Sequence, residues 1–170
     1  MARSVNKRVA VGFVALSAVF GFFWWLRLDP LDQLSGEKEL VETAYASGEL
    51  QSRSERRNGA LNGLSEGWYT NGQLQVSETF VNGVSQGLKT QWYASGAKKS
   101  EAEVENGLIH GRYRRWYESG ELAEDAEFSQ GVPHGLSRAY YENGKPKAEV
   151  TMNAGEVVDQ TFWDEAGAPR

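Results

Sequence analysis

The chain has no cysteine among its 170 residues. That excludes disulfides, thiolate metal sites and a cysteine nucleophile, and it suits either side of a membrane. Histidine occurs only at His110 and His134. Four prolines against nineteen glycines indicate many tight turns with positive φ and few rigid breaks. Basic charge is also scarce. Beyond residue 30, 14 Lys and Arg face 22 Asp and Glu, a balance of −8, which argues against a nucleic-acid partner, since that needs a basic footprint. No glycine cluster has phosphate-loop spacing and no serine sits in a nucleophile elbow. The reading is therefore non-enzymatic, without cofactor or metal.

Long apolar runs are equally scarce, with one exception. Arg3, Lys7 and Arg8 precede Val9–Leu26, whose only hydroxyl or charged member is Ser17. As a helix, 18 residues span about 27 Å, close to a bilayer's hydrocarbon core. Trp24 and Trp25 at its far end suit the headgroup boundary. A cleaved signal peptide is the competing reading, but the bulky Phe22–Leu26 stretch and Arg27 leave no small-residue cleavage pattern. The cation bias sets the N-terminus in the cytoplasm. The expectation is a single-pass bacterial inner-membrane protein: a basic segment (1–8), an anchor (9–26), a connector (27–43), repeats (44–155) on the extracytoplasmic side, and a cap and tail (156–170).

What the chain does have is a 24-residue period. Gly48, Gly72, Gly96, Gly120 and Gly144 form one series; Gly59, Gly83, Gly107, Gly131 and Gly155 a second; Gly63, Gly87, Gly111 and Gly135 a third. Tyr45, Tyr69, Tyr93, Tyr117 and Tyr141 keep the same step. Such a period marks one supersecondary unit copied head to tail. Within a copy, Ala94-Ser-Gly96 reads as a turn and Asn106-Gly107 as a hairpin turn. Between them the residues alternate: Lys98, Ser100, Ala102 and Val104 share a side, as do Leu74, Val76 and Phe80, or Leu122, Ala126 and Phe128. The fold predicted is all-β, an elongated single-layer antiparallel sheet of five hairpins. The connector is read as a short helix, and Phe162-Trp163 with Gly167 as a degenerate capping strand.

Trp92-Tyr93-x-Ser95-Gly96, Asn106-Gly107 and His110-Gly111, with Tyr140-Tyr141-Glu142-Asn143-Gly144-Lys145 and Gly155, resemble MORN-variant repeats of the YwqK antitoxin-like type. The resemblance covers five copies and implies an elongated hairpin sheet, with no shared catalytic residues.

Three features carry the expectations about a site. Trp68/Tyr69, Trp92/Tyr93, Trp116/Tyr117 and Tyr140/Tyr141 are adjacent aromatic pairs. Lying wholly in strands, they would put one ladder on each face, one dry and one accessible to a partner. The alternative is that Lys89, Gln91 and Arg115 lie over the rings. Arg112, Arg114, Arg115 and Arg138 form a basic cluster for a phosphate, headgroup or acidic peptide, or else pair with Glu101, Glu103, Glu124 or Glu127. His110 and His134 stand two strands apart, roughly 9.5 Å, too far to share one zinc ion. The expected role is binding a protein or envelope polymer. The alternatives are an antitoxin or immunity protein and an accessory subunit of an envelope enzyme.

Overall fold

Two turn types, alternating along the chain, generate the architecture. Asn58-Gly59, Asn82-Gly83 and Asn106-Gly107 have positive φ at both positions, as do Gln130-Gly131 and Ala154-Gly155. That is the type I′ two-residue turn, whose twist matches that of the strands it joins. At the other end of each strand pair, Tyr93 N–H donates to Ala97 O (2.8 Å) and Gly96 N–H to Tyr93 O (2.9 Å). The same pair of bonds recurs at Tyr45, Tyr69, Tyr117 and Tyr141.

The computed structural model describes the backbone of Lys7–Val9 and residues 36–170. Its strands are β1 (Lys7–Val9), β2 (Lys38–Ala44), β3 (Leu50–Arg57), β4 (Ala60–Trp68), β5 (Leu74–Val81), β6 (Val84–Trp92) and β7 (Lys98–Glu105). They continue as β8 (Leu108–Trp116), β9 (Leu122–Ser129), β10 (Val132–Pro133), β11 (Gly135–Tyr140), β12 (Pro146–Asn153) and β13 (Glu156–Phe162). All pair antiparallel in one open sheet, each strand beside its sequence neighbour, with β10 paired to β9 off the main path. The described residues contain no helix. The anchor expected over 9–26 lies outside the described residues apart from the backbone of Val9.

One expectation is corrected. The connector's helix is absent over 38–43; Lys38-Glu-Leu-Val-Glu-Thr-Ala44 forms β2 and pairs with β3 along its length. The C-terminal reading is refined: the last strand is Glu156–Phe162, and Trp163–Ala168 is a sixth turn. In that turn Asp164 stands where the tyrosine would be. Its carboxylate accepts from the N–H groups of Ala168 (2.8 Å) and Gly167 (2.9 Å), and these bonds hold the carboxyl below its usual range.

In the other five turns the tyrosine has one task. The hydroxyls of Tyr45, Tyr69, Tyr93 and Tyr117 donate to the carbonyls of Trp68, Trp92, Trp116 and Tyr140, 23 residues on, at 2.6–2.9 Å. Tyr141 reaches Trp163 O in the same way. Each tyrosine thus stitches its turn to the next repeat. Tyr93→Phe keeps the ring and removes the bond. It should destabilise by about 1 kcal/mol in equilibrium unfolding, whereas Ser95→Ala, in the same turn with no such bond, should stay within roughly 0.5 kcal/mol.

A single layer has no second layer to bury against, and among the described residues no large side chain is fully buried. The buried residues are small: Ser54, Thr90, Ser100, Ala102, Val104, Ala123 and Ala126, covered by longer neighbours on the same face.

Candidate functional site

The third glycine series sets which residues meet on each face. Opposite Glu55 on β3, strand β4 carries three residues, because Ser54 pairs with Ser65 and Arg56 with Leu61. The same three-for-one bulge recurs between β7 and β8, where Ala102 pairs with Tyr113 and Val104 with Ile109. Gly63 (φ 125°) and Gly111 (φ 104°) turn these bulges in a backbone region that side chains avoid. The Arg112 N–H donates to the Glu103 carboxylate across its bulge, at 3.4 Å.

On one face, the register aligns a row of charges. Glu42, Arg53 and Glu66 follow one another across β2, β3 and β4. Glu101, Arg114, Asp125, Arg138 and Glu149 do the same across β7, β8, β9, β11 and β12. Cross-strand pairs of opposite sign form: Arg53–Glu42 at 2.8 Å, Arg138–Glu149 at 3.1 Å, and Arg112 with Asp125 through two bonds. Arg114 stands 4.0 Å from Asp125. On the opposite face Arg115 meets Glu124 at 3.2 Å. Three carboxylates, Asp125, Glu124 and Glu149, thus offset most of the charge of the four arginines, with Arg112 and Arg114 sharing Asp125.

Asp125 carries a pH consequence. Its hydrogen bond from Arg112, and then the nearby arginine charges, hold its carboxyl below the usual range. A depressed native value means the unfolded chain takes up this proton first on acidification. The stabilisation is therefore full above the unfolded value of about 4 and is lost as pH falls through the lower native value. Asp125→Asn should flatten the acid limb of a stability–pH profile and leave its slope between pH 6 and 8 unchanged.

The aromatic pairs fall at the strand ends. Trp68, Trp92, Trp116 and Tyr140 close β4, β6, β8 and β11, and each following tyrosine opens a turn. The pairs therefore do not lie wholly in strands. All of Trp68, Tyr69, Trp92, Tyr93, Trp116, Tyr117, Tyr140 and Tyr141 are half-buried, so no ladder is dry while its neighbour is wet. The cations over the rings are Arg53 on Trp68 (5.7 Å), Lys98 on Trp116 (5.4 Å), Lys99 on Tyr93 and Lys147 on Tyr141 (5.6 Å each), in place of Lys89 and Arg115. Lys98 also pairs with Glu101 (2.7 Å). It thus joins the charged face, because the register slips between Gln91 and Trp92, and does not share a side with Ser100, Ala102 and Val104.

The histidine positions serve the repeat as well. Asn62 donates to Asn82 (3.1 Å) and Gln86 to Asn106 (3.0 Å), each bridging to the next repeat's turn. At the equivalent place, His110 Nδ1 accepts from the Gln130 backbone N–H (3.2 Å).

The opposite face holds a hollow that the sequence pattern does not reveal. Lys89, Ala102, Tyr113 and Ala126 lie side by side across β6, β7, β8 and β9. Small Ala102 between two long side chains leaves a depression of about 220 Å³, floored by Ala102, Val104 and Ile109. Glu78, Ser85, Gln91 and Ser100 complete its rim. Lys89 pairs with Glu78 (3.0 Å), whose carboxylate also accepts from Ser85. Ser100 donates to the Gln91 side-chain oxygen (3.0 Å). Tyr113 packs edge-on against Phe128, ring centroids 6.0 Å apart. Burial, followed by the Glu124 charge, raises its phenol above the usual value. These groups can hold a ligand.

Residues 61–82, 109–130 and 133–154 match the MORN repeat variant. Each stretch begins just after a type I′ turn, crosses one tyrosine turn and reaches the next type I′ turn. No curated protein matches the chain.

Proposed function

We propose that this chain is a membrane-tethered, non-enzymatic interaction module whose repeat sheet binds a protein or envelope component outside the cytoplasmic membrane. The observation that carries this reading is a contrast between positions. Those that build the scaffold repeat almost unchanged: the tyrosine and its turn glycine, and the type I′ turn. Those on the face that holds the hollow change from copy to copy: Ser65, Lys89, Tyr113 and Ser137 at one position, Gly67, Gln91, Arg115 and Ala139 at another. A constant frame carrying varied side chains is how repeat arrays build a specific surface. The apolar run Val9–Leu26 supports the tether, and its cation bias supports the orientation, which requires β1 to leave β2, its partner here through Lys7–Glu42, Arg8–Val41 and Val9–Leu40. The half-exposed rings of Trp68, Trp92, Trp116 and Tyr140 offer the partner a second row at the strand ends.

A second reading is an antitoxin-like protein of the YwqK type. The acidic balance beyond residue 30 favours it, because an acidic sheet suits a basic toxin. A role as accessory subunit of an envelope enzyme would use the same surfaces.

Photo-crosslinkers placed at Gln91, at Leu88 on the other face and at Ser47 in a turn, in cells, test the module. Adducts to an envelope protein are expected from a sheet face and not from Ser47. Fractionation should place the protein in the inner membrane, with residues beyond 30 digested in spheroplasts. Intact protein in the cytosol, or no adduct from either face, overturns the reading.

A further inference from the structure

We infer that the hollow over Ala102 is a subsite for one bulky apolar side chain of a neutral, extended peptide crossing β6, β7 and β8. This rests on the interaction-module reading and names what the module recognises.

The floor is apolar and lies deep, with Ala102 6 % and Val104 8 % exposed, so what stays open is the space between the long side chains above it, Lys89 and Tyr113. The rim selects against charge. Lys89 and Glu78 already neutralise each other at 3.0 Å, and Arg115 and Glu124 do so at 3.2 Å along the next row. A charged ligand group would meet both signs at once, with no net field to draw it in, and would give up hydration against the apolar floor. What the rim leaves open is neutral hydrogen bonding. Gln91 accepts from Ser100 through its oxygen, and its amide nitrogen has no partner among the described residues. The Tyr113 hydroxyl has none either, while its ring is fixed against Phe128. One face of the hollow thus offers an N–H donor and the other an O–H that donates or accepts. These are the complements of a peptide carbonyl and a peptide N–H. The hollow is half-open, neither sealed nor flat, which suits a side chain entering from a chain laid across the strands better than a fully enclosed small molecule.

The probe is a biotinylated peptide, Gly-Ser-Gly-X-Gly-Ser-Gly with blocked ends, where X is a diazirine analogue of leucine. It is applied to the full chain in nanodiscs and the adducts are mapped by mass spectrometry. Labelling is expected at Ala102, Val104, Ile109 and Tyr113, competed by the leucine peptide and not by its lysine or glutamate versions. Ala102→Leu fills the hollow and should lower labelling about tenfold. Tyr113→Phe keeps the ring, so its melting temperature should be unchanged, yet labelling should fall several-fold. Labelling spread over the sheet, or surviving Ala102→Leu in a folded variant, overturns the subsite. So does equal competition by the lysine peptide. Partner adducts from Gln91 that persist in Ala102→Leu overturn the subsite alone and leave the interaction module standing.

Discussion

Gly63→Ala is expected to destabilise the sheet by about 3 kcal/mol or more, while Gly87→Ala, at the same position one repeat later, should cost about 1–2 kcal/mol. Both glycines turn a three-for-one bulge with positive φ, 125° and 82°. A Cβ in that region strains the backbone by roughly 1–2 kcal/mol at either place. The difference lies in what the new methyl meets. At Gly87 nothing stands within 4 Å. At Gly63 the methyl would sit 2.8 Å from the Cβ of Glu55. A carboxylate could swing aside, but a Cβ moves only with its backbone, so β3 itself must shift. Glu55→Ala should therefore fail to rescue Gly63→Ala, whereas Glu55→Gly should recover part of the loss. Equal costs at Gly63 and Gly87, read from equilibrium unfolding of the full chain, would show that the bulge tolerates a side chain and that strain alone keeps the glycine there.

How far the sequence reaches can be judged from such positions. Asn106-Gly107 announces a type I′ turn because only a few residues accept positive φ at both places, and the structure has that turn. The alternation of Ser100, Ala102 and Val104 places them correctly on one face. The tyrosine period is equally visible, but its role is not. The bond from Tyr93 to Trp116 O joins residues 23 apart and exists only once neighbouring repeats are in register. That register depends on the bulges, which offset each pair of strands by two residues. Without them, Lys89, Ala102 and Tyr113 cannot be seen to lie side by side, and the hollow is invisible. The charge row is hidden for the same reason: the sequence offers Glu101, Glu103, Glu124 and Glu127 as candidate partners of the arginines, and Glu124 does pair with Arg115, but Asp125 and Glu149 come into view only in the register. Strand β2 escapes because its copy has Ala44 in place of tryptophan and no glycine pair before it.

Removing residues 163–170 is expected to make the chain associate at concentrations where the full-length protein does not. An open sheet must end somewhere, and an unpaired edge is a template for another chain. All seven residues of β13 are exposed, with Val158 at 65 %. No lysine or proline guards the strand. Three other devices blunt it. Thr151 pairs with Asp159 and Met152 with Val157, so Val158 is an extra residue that breaks the regular edge. Trp163 N–H donates inward to Lys147, so Phe162 and Gln160 point their backbone groups outward. The outward Gln160 N–H is taken by the Asp159 carboxylate at 2.9 Å. The outward Phe162 carbonyl is taken by the Arg170 N–H, also at 2.9 Å, from a tail held by the Trp163–Pro169 bridge. The tail thus fills the edge at one end while Asp159 fills it in the middle. Deleting 163–170 frees the first group, and Asp159→Val in the same background frees the second. Light scattering of the chain in detergent, over a concentration series, should rank the tendency to associate as double variant above truncation above full length. Asp159→Val in the otherwise intact chain should fall between truncation and full length. If the truncated chain stays as dispersed as the full chain at every concentration, the tail has no guarding role and the Val158 bulge alone protects the edge.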